Sequence, residues 1–209
     1  MTTERTSSPE HWNMIYGKYR REELGWYAPV LTTSLEWVLT HADGRDAGLV
    51  DIGGGSSTLV DELIARNFTS LTIVDISEAA IAEAKQRLAA QAGGAQFLCN
   101  DIRNPDLNLS PVQVWHDRAA FHFLQDGPEI ESYLKHIEST LITGGIVILG
   151  VFSENAPPRC SGLLVNRYTL PKLKDVFSKG FELLDTKTEV HITPGKVEQE
   201  YIYTAWRKR

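Results

Sequence analysis

The sequence predicts an α/β fold: a mostly parallel sheet of stacked strand–helix units, closed at one end by an antiparallel hairpin. Three observations predict it. From residue 29 onward, short apolar runs alternate with segments of helical periodicity, which is how consecutive βα units read. A glycine-rich stretch, Val50-Asp51-Ile52-Gly53-Gly54-Gly55-Ser56-Ser57-Thr58, joins the first apolar run to the helix after it. The tail abandons the alternation for two long strand-like runs joined by a turn.

Taken in order, Pro29 suits the first turn of a helix whose apolar face is Leu31, Leu35, Val38, Leu39 and Ala42. Residues 48–52 then read as a buried strand. Leu59, Val60, Leu63 and Ile64 form a helical stripe, residues 70–75 a second strand, and Ile81, Ala84 and Leu88 the next helix. Residues 95–99, 112–116 and 145–152 complete the parallel strands, with a helix from Glu129 to Leu141 before the last of them. A helix near Pro171–Lys179 leads into strands 181–192 and 198–208, with the turn at Thr193-Pro194-Gly195-Lys196. Upstream, residues 11–27 carry Trp12, Tyr16, Tyr19, Trp26 and Tyr27 outside the alternation, as a packed first helix, a lid, or both at once. The expected organisation is a cap segment over 1–28 and one ligand-binding domain over 29–209.

Composition narrows the function classes. Of 209 residues, 42% are hydrophobic and 23% charged, as in folded globular domains. With 21 Lys and Arg against 27 Asp and Glu the net charge is −6, without the basic footprint that nucleic-acid binding needs. Cys99 and Cys160 have neither CxxC spacing nor neighbouring ligands, so no disulfide framework and no metal site is expected. The longest apolar run, Ile146 to Phe152, is far short of the roughly 20 residues of a membrane span. The polar start lacks the apolar core of a signal peptide, and a cytoplasmic chain is expected.

The glycine stretch places backbone N–H groups at a helix start, where a nucleotide-type ligand can approach closely. Read as the dinucleotide pattern GxGxxG, Gly53 and Gly55 fit, but Thr58 occupies the third position. Asp51 just before the loop would repel a pyrophosphate and attract a ligand with positive charge. S-adenosyl-L-methionine (SAM) carries a sulfonium and an ammonium and no phosphate. Asp51-Ile52-Gly53-Gly54-Gly55 resembles the first motif of class I SAM-dependent methyltransferases, D/E-x-G-x-G-x-G, with Ser57 in place of the last glycine. Asp75 follows Gly55 by 20 residues, the offset of an acid that meets ribose hydroxyls; its other reading is a helix cap.

The resemblance covers residues 48–152 by motif and the whole chain by architecture. It implies a Rossmann-like seven-stranded sheet in the order 3-2-1-4-5-7-6, with an antiparallel last strand and helices on both faces. It also implies that Asp101 hydrogen-bonds the adenine amino group with Ile102 beside the ring, although an Asp there also suits a loop cap. Asp51, Gly53, Gly55, Asp75, Ile76, Asp101, Ile102, Tyr16 and Trp26 are the expected cofactor-binding residues. His11-Trp12-Asn13 with Tyr16, and Trp26-Tyr27 beyond, resemble the W-D-x-x-Y…W opening of the elongation-factor and citrate-synthase lysine methyltransferase group, and Asp117-Arg118 resembles its acid–base pair after the fourth strand.

Methyl transfer is an in-line displacement, so the task is to hold a nucleophile about 3 Å from the methyl carbon with water excluded. The candidate catalytic residues leave the fourth strand and the loop after the fifth. Asp117 would lie near the methionine ammonium or the substrate, or else pair with Arg118 at the rim. His116 and His122 are candidate general bases, since imidazole titrates near neutral pH, against the commoner structural role. Arg167, on the long Pro157-Pro158 loop with Cys160 and Tyr168, could join Arg118 as a carboxylate clamp. Trp12, Tyr16, Trp26 and Tyr27 either face the sulfonium or anchor the core. His191 points to the sheet surface or to the pocket mouth.

The function expected is methyl transfer from SAM to a polar small molecule, with protein lysine as the alternative acceptor. A nicotinamide oxidoreductase and a non-catalytic SAM-binding module are less favoured. His116-Asp117-Arg118-Ala119 also stands where base-modifying relatives carry a Pro-Pro motif flanked by an aromatic residue, so nucleic acid is not an expected partner.

Overall fold

Helix starts are set by local chemistry. In the structure, a computed structural model describing residues 7–89, 93–125 and 127–209, Ser8 caps α1 (Pro9–Lys18) by accepting from the His11 N–H, and Pro9 takes the first position, where no N–H is needed. Ser77 caps α4 (Glu78–Leu88) and Thr169 caps α6 (Leu170–Phe177) in the same way. Helices α2 (Thr32–His41), α3 (Leu59–Ala65) and α5 (Gly127–Thr140) complete the set.

The strands are β1 (Leu49–Ile52), β2 (Leu71–Asp75), β3 (Gln96–Cys99), β4 (Val112–Arg118), β5 (Leu141–Phe152), β6 (Arg159–Cys160), β7 (Leu163–Leu164), β8 (Phe181–Ile192) and β9 (Glu198–Lys208). Seven of them form one sheet in the order β3-β2-β1-β4-β5-β9-β8. With the small β6–β7 pair set aside, this is the 3-2-1-4-5-7-6 order that the family resemblance implies. Strands β1 to β5 pair in parallel, and β9 runs antiparallel to both β5 and β8.

Four expectations are corrected. The helix expected from Pro29 begins at Thr32, because Thr58 Oγ1 donates to the Ala28 carbonyl at 3.0 Å and holds the chain extended against the glycine loop. The fifth strand begins at Leu141, directly after α5, and the fourth continues to Arg118. The loop 153–168 holds the β6–β7 hairpin, whose turn residues Ser161 and Gly162 both take positive φ, as tight hairpins require.

Side chains alternate across the sheet, so each strand feeds two cores. Leu49, Ile73, Val114, Ile148 and Tyr203 pack with Leu35, Val38, Leu63 and Ile81 of α2, α3 and α4. Val50, Val74, Trp115, Leu149 and Ile202 pack with Tyr133, Ile137, Leu173 and Phe177 of α5 and α6. This parity decides where the polar residues at the end of β4 point. Among the described residues no helix is long and apolar enough to cross a membrane, and no cluster of three metal-ligating side chains occurs.

Candidate active site

A cleft of about 770 Å³ opens at the carboxyl ends of β1, β2 and β4, the crevice position of ligands in open α/β sheets. Its floor is the glycine loop. Gly53 has φ +69°, a conformation L side chains rarely adopt, and its N–H donates to the Val74 carbonyl at 2.8 Å. A Cβ on Gly55 would meet Ala80 Cβ at 2.5 Å and Asp75 Oδ2 at 2.8 Å, and one on Gly54 would meet Asp51 Oδ2 at 2.5 Å. Both positions therefore exclude a side chain. Ser57, standing where the motif has its last glycine, accepts from the Leu59 N–H at 3.1 Å and so serves the start of α3.

Asp75 ends β2 on the cleft wall. Its Oδ2 accepts from the Gly55 N–H at 3.1 Å and its Oδ1 from the Ser77 N–H at 2.9 Å, while burial pushes its carboxyl up to about 6. Ser77, not Asp75, supplies the cap of α4. Ile76, Asp101 and Ile102 line the same wall. Asp101 is gripped by Arg103, whose Nη2 donates to Asp101 Oδ2 at 2.7 Å and to the Ser7 carbonyl at 2.8 Å, and whose Nη1 reaches Glu129 at 3.1 Å. Arg103 also lines the cleft. Sequence reasoning missed it; the available signal was a base two residues beyond an acid in Asp101-Ile102-Arg103.

The opposite wall is aromatic. Trp26 meets Trp12 edge-on at 5.7 Å and Tyr16 at 5.8 Å, and Trp12 meets Phe123 at 5.0 Å. All four line the cleft. Asn13 anchors α1 to the start of α4: its Oδ1 accepts from Ser77 Oγ at 2.7 Å and the Ala79 N–H at 3.2 Å. The His191 ring donates to the Gly25 carbonyl at 2.9 Å, so it faces this segment and not the open sheet surface.

The candidates after β4 separate. His116 and Arg118 project to the α2 face and Asp117 to the α5 face, so the expected Asp117–Arg118 pair does not form. Asp117 is fully buried; Oδ1 accepts from the Ala120 and Phe121 N–H groups at 3.0 and 3.1 Å, and Oδ2 from the Tyr133 hydroxyl at 2.8 Å. It closes the turn after β4 and does not line the cleft. His116 lies between Asp51 Oδ1 at 2.6 Å and Ser34 Oγ at 2.9 Å, beneath the cleft. His122 is fully buried beside Phe123 and Phe152, accepts from the Phe152 N–H at 3.2 Å, and is pushed down to about 3 by burial. Neither imidazole is placed to take a proton from an acceptor in the cleft.

Arg167 donates to the carbonyls of Glu154 and Ala156 at 2.9 and 3.1 Å, bracing its own loop, and Tyr168 packs on Phe121. No clamp with Arg118 results. Arg118 does line the cleft: its Nε donates to Tyr203 at 2.9 Å, its Nη1 to the Trp26 carbonyl at 3.0 Å, and the guanidinium lies 4.3 Å from the Tyr201 ring centre. Cys160, its thiol pushed up to about 11 by burial, lines the wall beside it.

The comparisons with known proteins agree with this geometry. The sequence model of one family, described as a methyltransferase domain, matches residues 49–145. The chain is 26% identical over 187 residues to EEF1A lysine methyltransferase 2 of Mus musculus, covering 84% of this chain and 72% of that one. It is 22% identical over 226 residues to the tRNA N(3)-methylcytidine methyltransferase trm140 of Schizosaccharomyces pombe, covering 96% and 73%. Among solved structures, the 1,6-didemethyltoxoflavin-N1-methyltransferase of Burkholderia thailandensis, with bound 1,6-didemethyltoxoflavin and S-adenosylhomocysteine, superposes with a TM-score of 0.71 at 18% identity over 99% of this chain and 93% of that one.

Proposed function

We propose that this chain, a class I SAM-dependent methyltransferase whose cofactor is S-adenosyl-L-methionine, passes the sulfonium methyl in-line to a small polar molecule. The residues fit the cofactor: a side-chain-free loop, a buried acid 20 residues beyond it, and a pocket walled by aromatic faces. Bound there, SAM supplies a methyl group already activated by its positive sulfur. The protein's share is to bind, orient and exclude water.

In this reading Asp75 receives the ribose hydroxyls, and Asp101 with Ile102 receives the adenine. Trp26 and Tyr16 offer aromatic faces to the sulfonium. The acceptor then enters beside Ala119, Ala120, Phe123 and Cys160, which line the remaining wall. One observation carries the small-molecule assignment. Among the described residues lining the main cleft the acids Asp75 and Asp101 both lie on the β2–β3 side, and Asp117 is turned into the opposite core, so the wall of Ala119, Ala120, Phe123 and Cys160 offers no carboxylate to a lysine ammonium. The lysine reading draws on the aromatic wall and on the 26% likeness to the mouse enzyme.

The test is to incubate the protein with label-bearing SAM and a lysate separated into small-molecule, protein and RNA fractions. Label is expected in the small molecules; label confined to protein would establish the alternative.

A further inference from the structure

Three separate stretches of chain meet at Arg103, in the loop after β3. Its Nε donates to Asp101 Oδ1 at 2.9 Å and its Nη2 to Asp101 Oδ2 at 2.7 Å. Its Nη1 donates to Glu129 Oε1 at 3.1 Å, in the first turn of α5, and Nη2 also donates to the Ser7 carbonyl at 2.8 Å, just ahead of α1. Glu129 is held in turn, its Oε2 accepting from the Gln125 N–H at 2.9 Å. A planar guanidinium carries its donors in a fixed fork, so it can hold these partners at set angles as a lysine ammonium could not.

Ser7 leads on to the aromatic wall. Its Oγ accepts from the Trp12 indole N–H at 2.9 Å, and the Trp12 ring meets Trp26 and Phe123 edge-on. Ser7, Trp12, Asp101 and Arg103 all line the main cleft. Arg103 and Ser7 therefore form a strut from the β2–β3 side of the cleft to its aromatic side. The other end of this stretch is fixed separately, by Asn13 on Ser77 and Ala79 at the start of α4. Trp12 stands between the two attachments, so its ring is set by both.

We infer that Arg103 is a positioning residue that clasps the chain ahead of α1 to the Asp101 wall and, through Ser7, sets the Trp12 ring, so that cofactor binding and the aromatic wall are coupled. The inference rests on SAM as cofactor with its adenine at Asp101, and it is independent of which acceptor the enzyme uses. A ligand lying between the two walls favours the clasped arrangement by the same factor as the clasp favours the ligand. Arg103 acts here through Ser7 and Asp101, without contact to the reacting atoms.

The experiment measures S-adenosylhomocysteine affinity together with hydrogen exchange at the Trp12 indole and at the His11 and Trp12 amides, the groups bonded to Ser7 and Ser8. In wild type, saturating S-adenosylhomocysteine is expected to slow exchange at these groups about tenfold. Arg103→Gln should bind the ligand about tenfold more weakly and lose that slowing, the low end for a charge-assisted contact because the site is partly exposed. Linkage requires the two factors to agree. Arg103→Lys, which keeps the charge without the fork, should recover only part of either. Wild type without slowing at Trp12 overturns the clasp without requiring any variant to fold. Unchanged affinity or intact slowing in folded Arg103→Gln also overturns it. If Arg103 only oriented Asp101, the variant would keep the slowing and lose the preference for S-adenosylhomocysteine over S-inosylhomocysteine, which has an oxo group in place of the amino group; that result overturns the clasp as well. Absence of any S-adenosylhomocysteine binding to wild type would overturn the cofactor assignment itself, and the inference with it.

Discussion

The two halves of the cleft use their polar residues in opposite ways. On the β1–β3 side, acids at or just beyond the strand ends stay at the ligand surface: Asp75, Asp101 and their neighbours Ile76 and Ile102 all line the cleft. On the β4–β5 side, Arg118 apart, the polar residues serve the fold instead. Asp117 closes a turn, His122 supports the Phe152 backbone, and Arg167 braces a loop. The lesson is that acids at or just beyond the ends of the short strands β2 and β3 stay at the ligand surface, whereas a longer central strand flanked on both sides assigns each residue to a face by parity.

The comparison breaks most visibly at Asp117. Its replacement by alanine leaves two backbone N–H groups and a buried tyrosine hydroxyl without their acceptor, a loss expected to cost about 3 kcal/mol or more. Denaturant unfolding measures it. A variant as stable as wild type that has lost turnover would return Asp117 to the reaction.

Asp75 sharpens the other half. Asp75→Asn is expected to weaken SAM binding by about 1–3 kcal/mol. Burial holds the Asp75 carboxyl up near 6, and the ionised form is the better acceptor for ribose hydroxyls and the better neighbour for a cation. Affinity should therefore be full above about pH 6 and decline as the pH falls through it, a step that the asparagine variant lacks. Calorimetric titration from pH 5 to 8 checks this; an identical decline in the variant would assign the step to another group.

The smallest effects are expected at His122 and Arg167, which do not line the cleft. His122→Phe removes an unpartnered Nε2 while leaving the Phe152 N–H unmet, so the two changes oppose and the net is expected within about 1 kcal/mol. Arg167→Gln, at an exposed site, should cost no more than that. Both should keep cofactor affinity and turnover, and a large loss of turnover in either would break the division between the halves.

Much of this was legible in the chain. The glycines, Asp75 at its 20-residue offset and the alternation of strands and helices are local patterns with local causes; they led to the stacked strand–helix units and to Asp75, while the sheet order and the Asp101–Ile102 part of the wall came from the family resemblance. The aromatic segment was legible as a feature, but its alternatives, core anchor and cleft wall, turn out not to exclude each other: Trp12 is buried and also lines the cleft. The side chains after β4 do not gather at one site as expected, for an identifiable reason. Asp117 and Arg118 are neighbours in sequence and lie on opposite faces of a strand, a parity that the pattern Val114-Trp115-His116-Asp117-Arg118 already contained. Arg103 and the β6–β7 hairpin gave weaker signals, a charge two residues from its partner and a single Ser161-Gly162 turn.

By itself, then, the sequence determined what short-range physics controls: which segments become strands or helices, where a backbone must go without a side chain, and which acid ends the second strand. Tertiary structure decided which charges are exposed to ligand and which serve the fold. His116 meets Asp51 only because β1 and β4 are adjacent and in register, and Arg118 reaches Tyr203 only because Gly150 opens the way across β5. These contacts join residues 65 and 85 positions apart, a separation at which no local pattern specifies a partner.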